Sequence, residues 1–487
     1  MALPTENKNE DTIAAAATAM SEAGIGIIRI SGPDAIRIGS LVFRSAAMED
    51  VLSVYAANTI HFGYIVDGDR GKEQIIDEVM VSVMKHPHSY TTEDTVEINA
   101  HGGTYVLQRI LELVLSKGAR LAEPGEFTKR AFLGGRIDLA KAEAVMDLIS
   151  SQSEFARKTA VEQLEGSVSE RIKNFRSQIL YEIAFIESAL DDPENFSTEG
   201  YPERLDQKLQ PVIADMEKLI ADSENSRILK DGIRTVIIGK PNAGKSSLLN
   251  YLTGTERAIV TDIAGTTRDT LDESVRMNGV LLNITDTAGI RDTDDTVERI
   301  GVNRAKQAAE NSDLLLLLID TSDSLSEEDS DSIRLFCEQI ACGKKGIILL
   351  NKSDLEKKAD ESQVRDLVSR CMTDADGRQN NTIPYITISL HNGNGLSGLT
   401  DKIMELFHAG ELTEKNEVHL TSLRHRQAVK DAEDSLRLVR KSIAAGMSED
   451  FYSIDLMNAY SSLGTIIGEQ VDDDLVEEIF SRFCMGK

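Results

Sequence analysis

The octapeptide GKPNAGKS, residues 239–246, constrains the fold of this 487-residue chain more than any other feature. It follows the apolar segment TVII and fits the pattern G-x-x-x-x-G-K-[ST] in a strand–loop–helix setting. Glycines let the backbone N–H groups of such a loop surround phosphate oxygens, and the N-terminus of the next helix adds a positive dipole. The pattern therefore predicts a parallel α/β domain in which Lys245 contacts phosphates and Ser246 binds Mg²⁺.

Three further elements follow in the order that is typical of guanine-nucleotide-binding domains. They are TTRD at 266–269, DTAG at 286–289 and NKSD at 351–354. Thr267 offers Mg²⁺ a second hydroxyl, Asp286 can hold a magnesium-bound water, and the Gly289 N–H can bind the γ-phosphate. Asp354 can accept hydrogen bonds from N1–H and the exocyclic amine of guanine, a pair of donors that adenine lacks. The ordered set favours a GTPase over the alternative, a degenerate loop that binds no nucleotide.

Cleavage of GTP requires a group that orients the attacking water. Ras-like enzymes place a Gln directly after the D-T-A-G element, whereas this chain has Ile290, whose apolar side chain cannot orient water. Glu298 lies further along the same segment and is the candidate that replaces the Gln. The alternative for Glu298 is a solvated carboxylate at the start of a helix.

Positive charge for the transition state has several candidate sources. Arg268 lies in the TTRD element, and Arg291 lies two residues after the DTAG element. Each is also typical of a salt-bridged surface residue. A bound monovalent cation is the third candidate. Asn242 offers a side-chain carbonyl beside the phosphates, and residues 261–266 offer backbone carbonyls, so these are candidate ligands for that cation. The alternative for Asn242 is that it braces the loop.

The rest of the chain predicts two further kinds of architecture. Residues up to about 130 combine strand-like segments with a helical pattern at 105–115, which predicts a mixed α/β domain. Apolar residues from 160 to 190 recur every three or four positions, which predicts a long helix, and helical patterns return after 412. From 233 to 408 apolar strands alternate with helices, as in a mostly parallel sheet covered on both faces. An α/β domain is thus predicted to interrupt a helical one.

Composition excludes several classes of protein. The charge balance of 53 − 81 = −28 argues against a chain that coats nucleic acid by itself. The longest purely apolar run, Leu314 to Ile319, is too short for a bilayer, which needs about 20 residues. The opening MALPTENKNEDT lacks the apolar segment of a secretory signal. Four scattered cysteines form no C-x-x-C pair, so we expect a reducing, cytoplasmic setting without membrane attachment.

Segments outside the nucleotide elements resemble one known family over nearly the full length. They are GIIRISG near the start, TVEINAHGG at 95–103, RLAEPGEFTKRAFLGGRIDLAKAEAVMDLI at 120–149 and FCMGK at 483–487. With these segments the chain resembles the tRNA modification GTPase family MnmE, also called TrmE. The 120–149 segment and the C-terminal FCMGK are specific to this family rather than to GTPases in general.

The resemblance implies a fold class of α/β and α with four successive parts. Residues 1–134 are expected to form a mixed α/β domain that binds folate and makes the homodimer. Residues 135–230 and 409–487 are expected to form the two parts of a discontinuous helical domain. Residues 231–408 are expected to form an inserted Ras-like P-loop GTPase domain with a mostly parallel sheet.

The resemblance also implies a reaction. The family acts with the flavoprotein MnmG (GidA), in a heterotetramer, on the wobble uridine of certain tRNAs. The complex attaches an aminomethyl or carboxymethylaminomethyl group to carbon 5, using a one-carbon unit from 5-formyl- or 5,10-methylene-tetrahydrofolate. GTP hydrolysis requires K⁺ as well as Mg²⁺ and proceeds with dimerisation of the G domains. FAD and NADH are expected on the partner.

Carried over by motif position, the resemblance assigns roles to single residues. Glu298 matches the water-orienting glutamate, and Cys484 matches a C-terminal cysteine proposed to take part in modification. The alternative for Cys484 is a structural cysteine packed beside its neighbours. The expected Mg²⁺ ligands are Ser246 and Thr267, and the expected K⁺ ligands are Asn242, Thr261, Ile263 and Thr266. The expected folate-binding residues are Arg29, Glu97, Arg136 and Lys487.

The predicted GTP site combines the four motif regions with a fifth loop. Its residues are Asn242, Ala243, Gly244, Lys245, Ser246, Ser247, Thr261, Asp262, Ile263, Ala264, Gly265, Thr266, Thr267, Asp286, Thr287, Ala288, Gly289, Asn351, Lys352, Ser353, Asp354, Ser389, Leu390 and His391. The fifth loop departs from the family, because Ser389 is followed by Leu390 where the family has Ala. The segment ATAMSEAGIG also lacks the Pro and Gly-Arg of some relatives.

Two rival functions remain. A regulatory GTPase of ribosome assembly, resembling Era-type proteins, would carry a basic RNA-binding domain. Residues 409–487 instead hold 9 Lys/Arg against 15 Asp/Glu, which weighs against it. A stand-alone folate-dependent RNA methyltransferase, with an ancillary G domain, is the second rival. It differs from the main prediction in needing no flavoprotein.

Overall fold

The structure is a computed structural model of the chain. It describes residues 11–68, 72–192, 194–255, 272–285, 306–373, 383–407, 418–469, 471, 473–484 and 486. The chain divides into two compact units: one comprises Met1–Met146, Gln163–Gln178 and Tyr460–Lys487, and the other Asp147–Glu162 and Ile179–Ala459. The boundaries of the four expected domains stay predictions.

A seven-stranded sheet forms the centre of the first unit. Its strands are β1 (Ile13–Ala16), β2 (Ala23–Ser31), β3 (Phe43–Ser45), β4 (Thr59–Asp67), β5 (Gln74–Met84), β6 (Thr95–Gly102) and β7 (Arg120–Leu121). Their order is β3-β4-β5-β6-β2-β1-β7; β1 and β7 pair in parallel, and the other described pairs are antiparallel. Helices α1 (Ala35–Val42) and α2 (Thr104–Ser116) share one apolar core with this sheet. The predicted mixed α/β character of this region is confirmed.

Strand β2 places a charged side chain on the face opposite that core. Ile28 and Ile30 are fully buried among the core residues. Since side chains alternate along a strand, Arg29 points to the other face. In the register of β2 and β6, Arg29 lies directly opposite Glu97. The strand pairing therefore brings two predicted folate-binding residues together.

Helices make up most of the segments that flank the second sheet. They are α3 (Glu126–Leu133), α4 (Leu139–Ser150), α5 (Glu154–Glu165), α6 (Ser167–Asp191) and α7 (Tyr201–Asp231), followed near the C-terminus by α12 (Leu423–Ala444), α13 (Glu449–Ile467) and α14 (Asp473–Ser481). The predicted helical pattern from 160 to 190 is confirmed, but it is divided between two helices, α5 and α6, rather than forming one. The helix is divided at Gly166, whose φ of 107° is incompatible with an α-helix.

A six-stranded sheet forms the centre of the second unit. Its strands are β8 (Ile233–Ile238), β9 (Asp272–Met277), β10 (Val280–Thr285), β11 (Leu314–Asp320), β12 (Lys345–Asn351) and β13 (Tyr385–Thr387), in the order β13-β12-β11-β8-β10-β9. The described helices around it are α8 (Lys245–Thr255), α9 (Glu327–Ala341), α10 (Glu361–Thr373) and α11 (Leu396–Leu406). The mostly parallel sheet is confirmed; β9, which the sequence patterns missed, pairs antiparallel with β10.

The apolar run Leu314–Ile319 is the central strand of this sheet, buried on both faces. Leu314, Leu316 and Leu318 belong to one apolar core, and the alternate residues belong to a second core. A strand covered on both sides needs apolar residues at every position, which explains why this run does not alternate. No helix in the described part of the chain is long and apolar enough to cross a membrane.

Lys345, at the start of β12, is a partly buried cation that ties α11 to α7. Its Nζ donates to the Leu406 carbonyl (2.6 Å) and the Asn225 side chain (2.9 Å), and lies 4.1 Å from the centre of the Phe407 ring. Burial lowers the pKa of Lys345 to about 8. The group therefore gives up its proton more readily in the folded chain than in the unfolded one.

We expect the free energy of unfolding to rise between pH 8 and 10.5 through Lys345. In this window the unfolded chain, in which the pKa of Lys345 is 10.5, binds more protons than the folded chain. Urea denaturation at several pH values should show a smaller rise for Lys345→Met than for wild type. Lys344→Met, which changes the neighbouring, also partly buried lysine, is the control and should keep the wild-type rise. An identical pH dependence in wild type and Lys345→Met would contradict this role.

Candidate functional site

The loop between β8 and α8 has the backbone conformation that the octapeptide predicts. Gly239 and Gly244 have φ angles of 150° and 108°, and Asn242 has a φ of 61°. A Cβ atom on Gly239 would lie 2.4 Å from the Leu318 carbonyl oxygen of β11, so only glycine fits there. The loop thus passes directly over the carboxyl end of the sheet, where open α/β sheets bind ligands.

Lys245 folds back over this loop from the first position of α8. Its Nζ donates to the carbonyls of Gly239 (2.6 Å) and Lys240 (2.9 Å). Ser246 and Ser247 follow in the first turn of α8 and are exposed, as is Asn242. A cation, two hydroxyls and a helix N-terminus therefore meet at one loop, which is the arrangement that binds nucleotide phosphates.

Asn351 belongs to the NKSD element, which we call the guanine element, and it joins this element to the phosphate loop. Its buried Nδ2 donates to the Ala243 carbonyl (2.8 Å), and its Oδ1 accepts from the Leu390 N–H (3.4 Å). A Cβ atom on Gly244 would lie 2.6 Å from Asn351 Nδ2. One side chain thus fixes three predicted site segments relative to one another.

Asp354 presents an exposed carboxylate at the edge of this site. The buried Ser389 donates its hydroxyl to Asp354 Oδ1 (2.5 Å), and this hydrogen bond holds the pKa of Asp354 below its usual value. The carboxylate therefore stays ionised at neutral pH. Sequence reasoning assigned Ser389 to the nucleotide itself and missed its contact with Asp354.

A second acid, Asp320 at the end of β11, was also missed by sequence reasoning. Lys352 of the NKSD element has a φ of 62°, and its Nζ pairs with Asp320 Oδ2 at 2.6 Å. Burial opposes the charge of Asp320, but hydrogen bonds from Lys352 and Ser322 lower its pKa overall. The signal that could have found it is a lone acid directly after an apolar strand. The pair holds the Lys352 side chain in place.

The fifth loop departs from the family pattern without leaving the site. Leu390 is partly buried against the core under the sheet, and its Cδ1 would lie 3.1 Å from a Cβ on Gly244. His391 is exposed. The larger Leu therefore packs beside the phosphate loop.

The segment GNGLSG at 393–398 fits the dinucleotide pattern G-x-G-x-x-G by sequence. Its first two glycines, Gly393 and Gly395, instead lie in the turn that ends the fifth loop, and Gly395 caps α11. Gly395 has a φ of 81°, and a Cβ there would lie 2.2 Å from the Thr387 carbonyl. Ser389 N–H bonds to the Asn394 carbonyl in the same turn. In the described residues no strand follows α11 to complete a dinucleotide-binding βαβ unit.

Many predicted site residues lie outside the described residues. They are Thr261, Asp262, Ile263, Ala264, Gly265, Thr266, Thr267, Asp286, Thr287, Ala288, Gly289, Glu298 and Lys487, together with Arg268, Ile290 and Arg291. Their assigned roles stay predictions.

The predicted folate-binding residues of the first unit cluster around one aromatic side chain. Arg29 pairs with Glu97 (2.7 Å), and its guanidinium lies 5.4 Å from the centre of the Tyr90 ring. Arg136 lies over the same ring at 4.5 Å. Sequence reasoning did not find Tyr90, because no motif marks it.

The C-terminal residues reach the same cluster. Arg29 Nη1 donates to the Gly486 carbonyl (3.2 Å). Gly486 has a φ of 86°, and a Cβ there would lie 2.0 Å from the Ala16 carbonyl oxygen, so the chain passes tightly against β1. Cys484 is exposed and its carbonyl accepts from the Gly125 N–H (3.4 Å). The described residues of this tail, 483, 484 and 486, are thus part of the first unit.

A largely buried network of ion pairs holds helix α3, which contributes to this cluster. Arg130 is almost fully buried and pairs with Asp11 (2.6 Å), Glu126 (3.0 Å) and Glu93 (3.1 Å). Because a buried cation is costly unless it is paired and hydrogen-bonded, this network fixes α3. Helix α3 carries Phe127, whose ring centre lies 5.5 Å from the Arg29 guanidinium.

We expect Gly244→Ala to weaken GTP binding by about 10–100-fold, since the backbone strain and the clash with Asn351 cost about 1–3 kcal/mol. Gly254→Ala is the control, because Gly254 lies within α8 and a Cβ there has no neighbour within 4 Å. Titration with a fluorescent guanine nucleotide measures both affinities. Equal affinity in the two variants would show that the Gly244–Asn351 contact does not shape the site.

The strand order, the phosphate loop and the Asp354 carboxylate of the NKSD element together define a P-loop GTP-binding protein. Family models match most of the chain: the MnmE helical domain matches residues 139–484, and the GTP-binding protein TrmE N-terminus matches residues 12–136. The chain belongs to the MnmE (TrmE) family of tRNA modification GTPases.

Two full-length relatives agree with this assignment. The tRNA modification GTPase MnmE of Lachnoclostridium phytofermentans is 48% identical over 98% of this chain and 99% of its own length. That of Bacillus subtilis is 44% identical over 98% of this chain and 100% of its own length. A GTP-binding protein of Sulfolobus solfataricus, solved with GDP, is 21% identical over 48% of this chain and 67% of its own, with a TM-score of 0.27.

Proposed function

We propose that this chain is a K⁺-dependent GTPase that, with a flavoprotein partner of the MnmG (GidA) type, modifies carbon 5 of the wobble uridine of certain tRNAs. The observation that carries the GTPase part is the joining of the phosphate loop to the guanine element through Asn351. The product carries an aminomethyl or carboxymethylaminomethyl group, whose one-carbon unit comes from 5-formyl- or 5,10-methylene-tetrahydrofolate.

In the proposed GTP site each side chain has one task. Lys245 binds the β- and γ-phosphates, Asp354 selects guanine and Glu298 orients the attacking water. Mg²⁺ prefers oxygen ligands, and the exposed hydroxyl of Ser246, beside Lys245, would be one of them. The Thr267 hydroxyl would be a second ligand, and Asp286 would hold a water molecule bound to Mg²⁺.

The proposed K⁺ site uses oxygen atoms beside the phosphate loop. The exposed Asn242 side chain supplies one oxygen, and the backbone carbonyls of Thr261, Ile263 and Thr266 supply the others. Mg²⁺ and K⁺ when bound neutralise negative charge that develops on the phosphates. This role replaces the positive charge of an Arg finger.

We expect Na⁺ in place of K⁺ to slow GTP hydrolysis about tenfold or more, because a transition-state charge loses its preorganised cation. Asn242→Ala should hydrolyse GTP slowly in both salts. Single-turnover hydrolysis with matched chloride concentrations gives the comparison. Equal wild-type rates in K⁺ and Na⁺ would remove the alkali ion from the mechanism.

The cluster around Tyr90 supports folate binding in the first unit. A tetrahydrofolate offers a ring system with N–H donors and a glutamate tail with carboxylates. Tyr90 suits the ring, Glu97 suits its donors, and Arg29 and Arg136 suit the carboxylates, with Lys487 as a further cation. Cys484, two residues before Gly486, is proposed to take part in the modification.

An exposed apolar surface supports a homodimer through the first unit. Ile60 and Phe62 on β4 and Met80 on β5 are all exposed, and Phe62 pairs directly with Met80 across the strands. Side chains of this kind on one sheet face are typical of an interface with a second copy.

The acidic chain is proposed to bind tRNA in the cytoplasm jointly with the flavoprotein. The flavoprotein is also proposed to hold FAD and NADH.

Reconstitution tests this proposed function. Purified chain, flavoprotein, GTP, Mg²⁺, K⁺, tetrahydrofolate derivative, FAD, NADH and an amine donor (ammonium for the aminomethyl group, glycine for the carboxymethylaminomethyl group) should together modify tRNA taken from cells that lack the modification. Omitting either protein should leave the uridine unmodified. Modification by the chain without the flavoprotein would favour a stand-alone enzyme instead.

A further inference from the structure

The octapeptide contains a second lysine, Lys240, to which the phosphate-loop pattern assigns no role. Its side chain is only 10% exposed and extends to the first turn of α9, where Nζ donates to Asp329 Oδ2 at 2.9 Å. Asp323, at 3.9 Å from Nζ, is a more distant and exposed partner. Burial alone would lower the pKa of Lys240, but the hydrogen bond to Asp329 and the nearby acidic charges raise it overall. Lys240 is therefore a charged and anchored side chain.

Asp329 holds this lysine from a fixed position. It is only 1% exposed and is the third residue of α9, after the N-cap residue Ser326. The Ser326 hydroxyl accepts from the Asp329 N–H (3.3 Å), and the Ser326 N–H and hydroxyl both donate to Asp329 Oδ2 (2.9 Å). A buried carboxylate is costly unless it is hydrogen-bonded and paired with a cation. Because this capping box fixes Asp329 within α9, the ion pair fixes Lys240 relative to that helix.

The backbone of Lys240 carries this restraint to the phosphate-binding lysine. Lys245 Nζ donates to two consecutive carbonyls, those of Gly239 (2.6 Å) and Lys240 (2.9 Å). The Lys240 carbonyl also accepts from the Ala243 N–H (3.3 Å). A shift of residue 240 would therefore displace the ammonium group of Lys245, which is the group assigned to the nucleotide phosphates.

Two other contacts hold the phosphate loop at different points. Gly239 lies against Leu318 of β11, and Asn351 donates to the Ala243 carbonyl (2.8 Å). The side chain of Lys240 adds a third contact, to α9. The loop is thus held from a strand, from a helix and from the guanine element.

We propose that Lys240 and Asp329 are a positioning pair that holds the start of the phosphate loop, and with it Lys245, in the place that nucleotide phosphates require. The proposal rests on the GTP binding in the proposed function and not on the tRNA chemistry. The pair acts through the loop backbone rather than by touching the nucleotide. A purely structural ion pair would stabilise α9 without changing nucleotide affinity, so affinity and stability separate the two roles.

The pair is tested in the full-length chain with two variants. Lys240→Met keeps the length of the side chain and removes its charge, and Asp329→Asn keeps the shape and removes the charge. Calorimetric titration in Mg²⁺ and K⁺ should show GDP and a non-hydrolysable GTP analogue both bound about tenfold more weakly by each variant. The double variant should bind no more weakly than the weaker single variant, because the two residues act as one unit.

Two further variants serve as rescue and control. Lys240→Arg keeps the cation and should retain an affinity close to that of wild type. Arg234→Met removes another ion pair, with Asp313 (2.8 Å), at the other end of β8, the strand that leads into the loop. Urea denaturation establishes that each variant is folded under the titration conditions, and Arg234→Met should keep the wild-type affinity whatever stability it loses.

The outcomes separate the possible failures. If wild type bound neither nucleotide, the GTP binding in the proposed function would be wrong, and the positioning pair would fall with it. Wild-type affinity in folded Lys240→Met and Asp329→Asn would show that the pair only stabilises α9; if Lys240→Met does not fold, Asp329→Asn decides alone. An equal loss of affinity in Arg234→Met would also overturn the proposal. Weaker binding by the two pair variants, with affinity retained in Lys240→Arg and Arg234→Met, supports it.

Discussion

Glu298→Ala should slow GTP hydrolysis by about 10²–10⁴-fold while leaving GTP affinity close to that of wild type. The position after the D-T-A-G element is Ile290, which cannot hydrogen-bond water, so the water must be oriented by another polar group. The described contacts that hold the nucleotide site together come from Asn351, Lys245 and Ser389, so removing Glu298 leaves them intact. Single-turnover hydrolysis and nucleotide titration measure the two quantities separately.

Glu310→Ala is the control for Glu298→Ala. Glu310 is an exposed carboxylate further along the same stretch of chain, and its change should alter neither hydrolysis nor binding. If Glu298→Ala hydrolyses GTP at the wild-type rate, the water is oriented by some other group and the assignment of Glu298 is wrong.

Asp354→Asn should weaken GTP binding by about 10²-fold or more and improve binding of xanthosine triphosphate. The carboxylate accepts two hydrogen bonds from guanine, and hydrogen bonds to a charged group contribute about 1.5–3 kcal/mol each. An amide cannot accept both, but its N–H₂ can donate to the extra carbonyl of xanthine. Competition titrations against a fluorescent nucleotide give the ratio of the two affinities.

Ser389→Ala separates recognition of the guanine base from the conformation of the fifth loop. The Ser389 hydroxyl donates to Asp354 and also accepts from the Asn392 N–H (3.4 Å), so its loss should weaken GTP binding without changing the preference for guanine. An unchanged preference for GTP in Asp354→Asn would contradict the role given to Asp354.

The parallel sheet and its phosphate loop could be predicted because local sequence dictates them. The run Leu314–Ile319 predicts a strand buried on both faces, and the octapeptide requires backbone angles that glycine supplies at Gly239 and Gly244. Both signals depend on residues adjacent in sequence. The division of the long helix at Gly166 was missed because the apolar spacing continues through it.

Contacts between distant segments could not be predicted in this way. Tyr90 meets Arg29 and Arg136 only through the fold of the first unit, and Asp320 meets Lys352 across neighbouring strands. A lone acid after an apolar run can mark Asp320 as a candidate, but neither residue type nor spacing shows that it pairs with Lys352 or that Tyr90 meets the two arginines. Strand β9 was missed because its sequence, DESVRM, has mostly polar residues at the sheet edge.

The central claim is that GTP hydrolysis by this chain is needed to modify carbon 5 of the wobble uridine. Nucleoside analysis of tRNA by mass spectrometry, in cells lacking the chain and complemented with wild type or Glu298→Ala, tests it most directly. We predict that the aminomethyl and carboxymethylaminomethyl uridines are lost without the chain, return with wild type and stay absent with Glu298→Ala. Unchanged wobble uridines in the cells that lack the chain would contradict the claim.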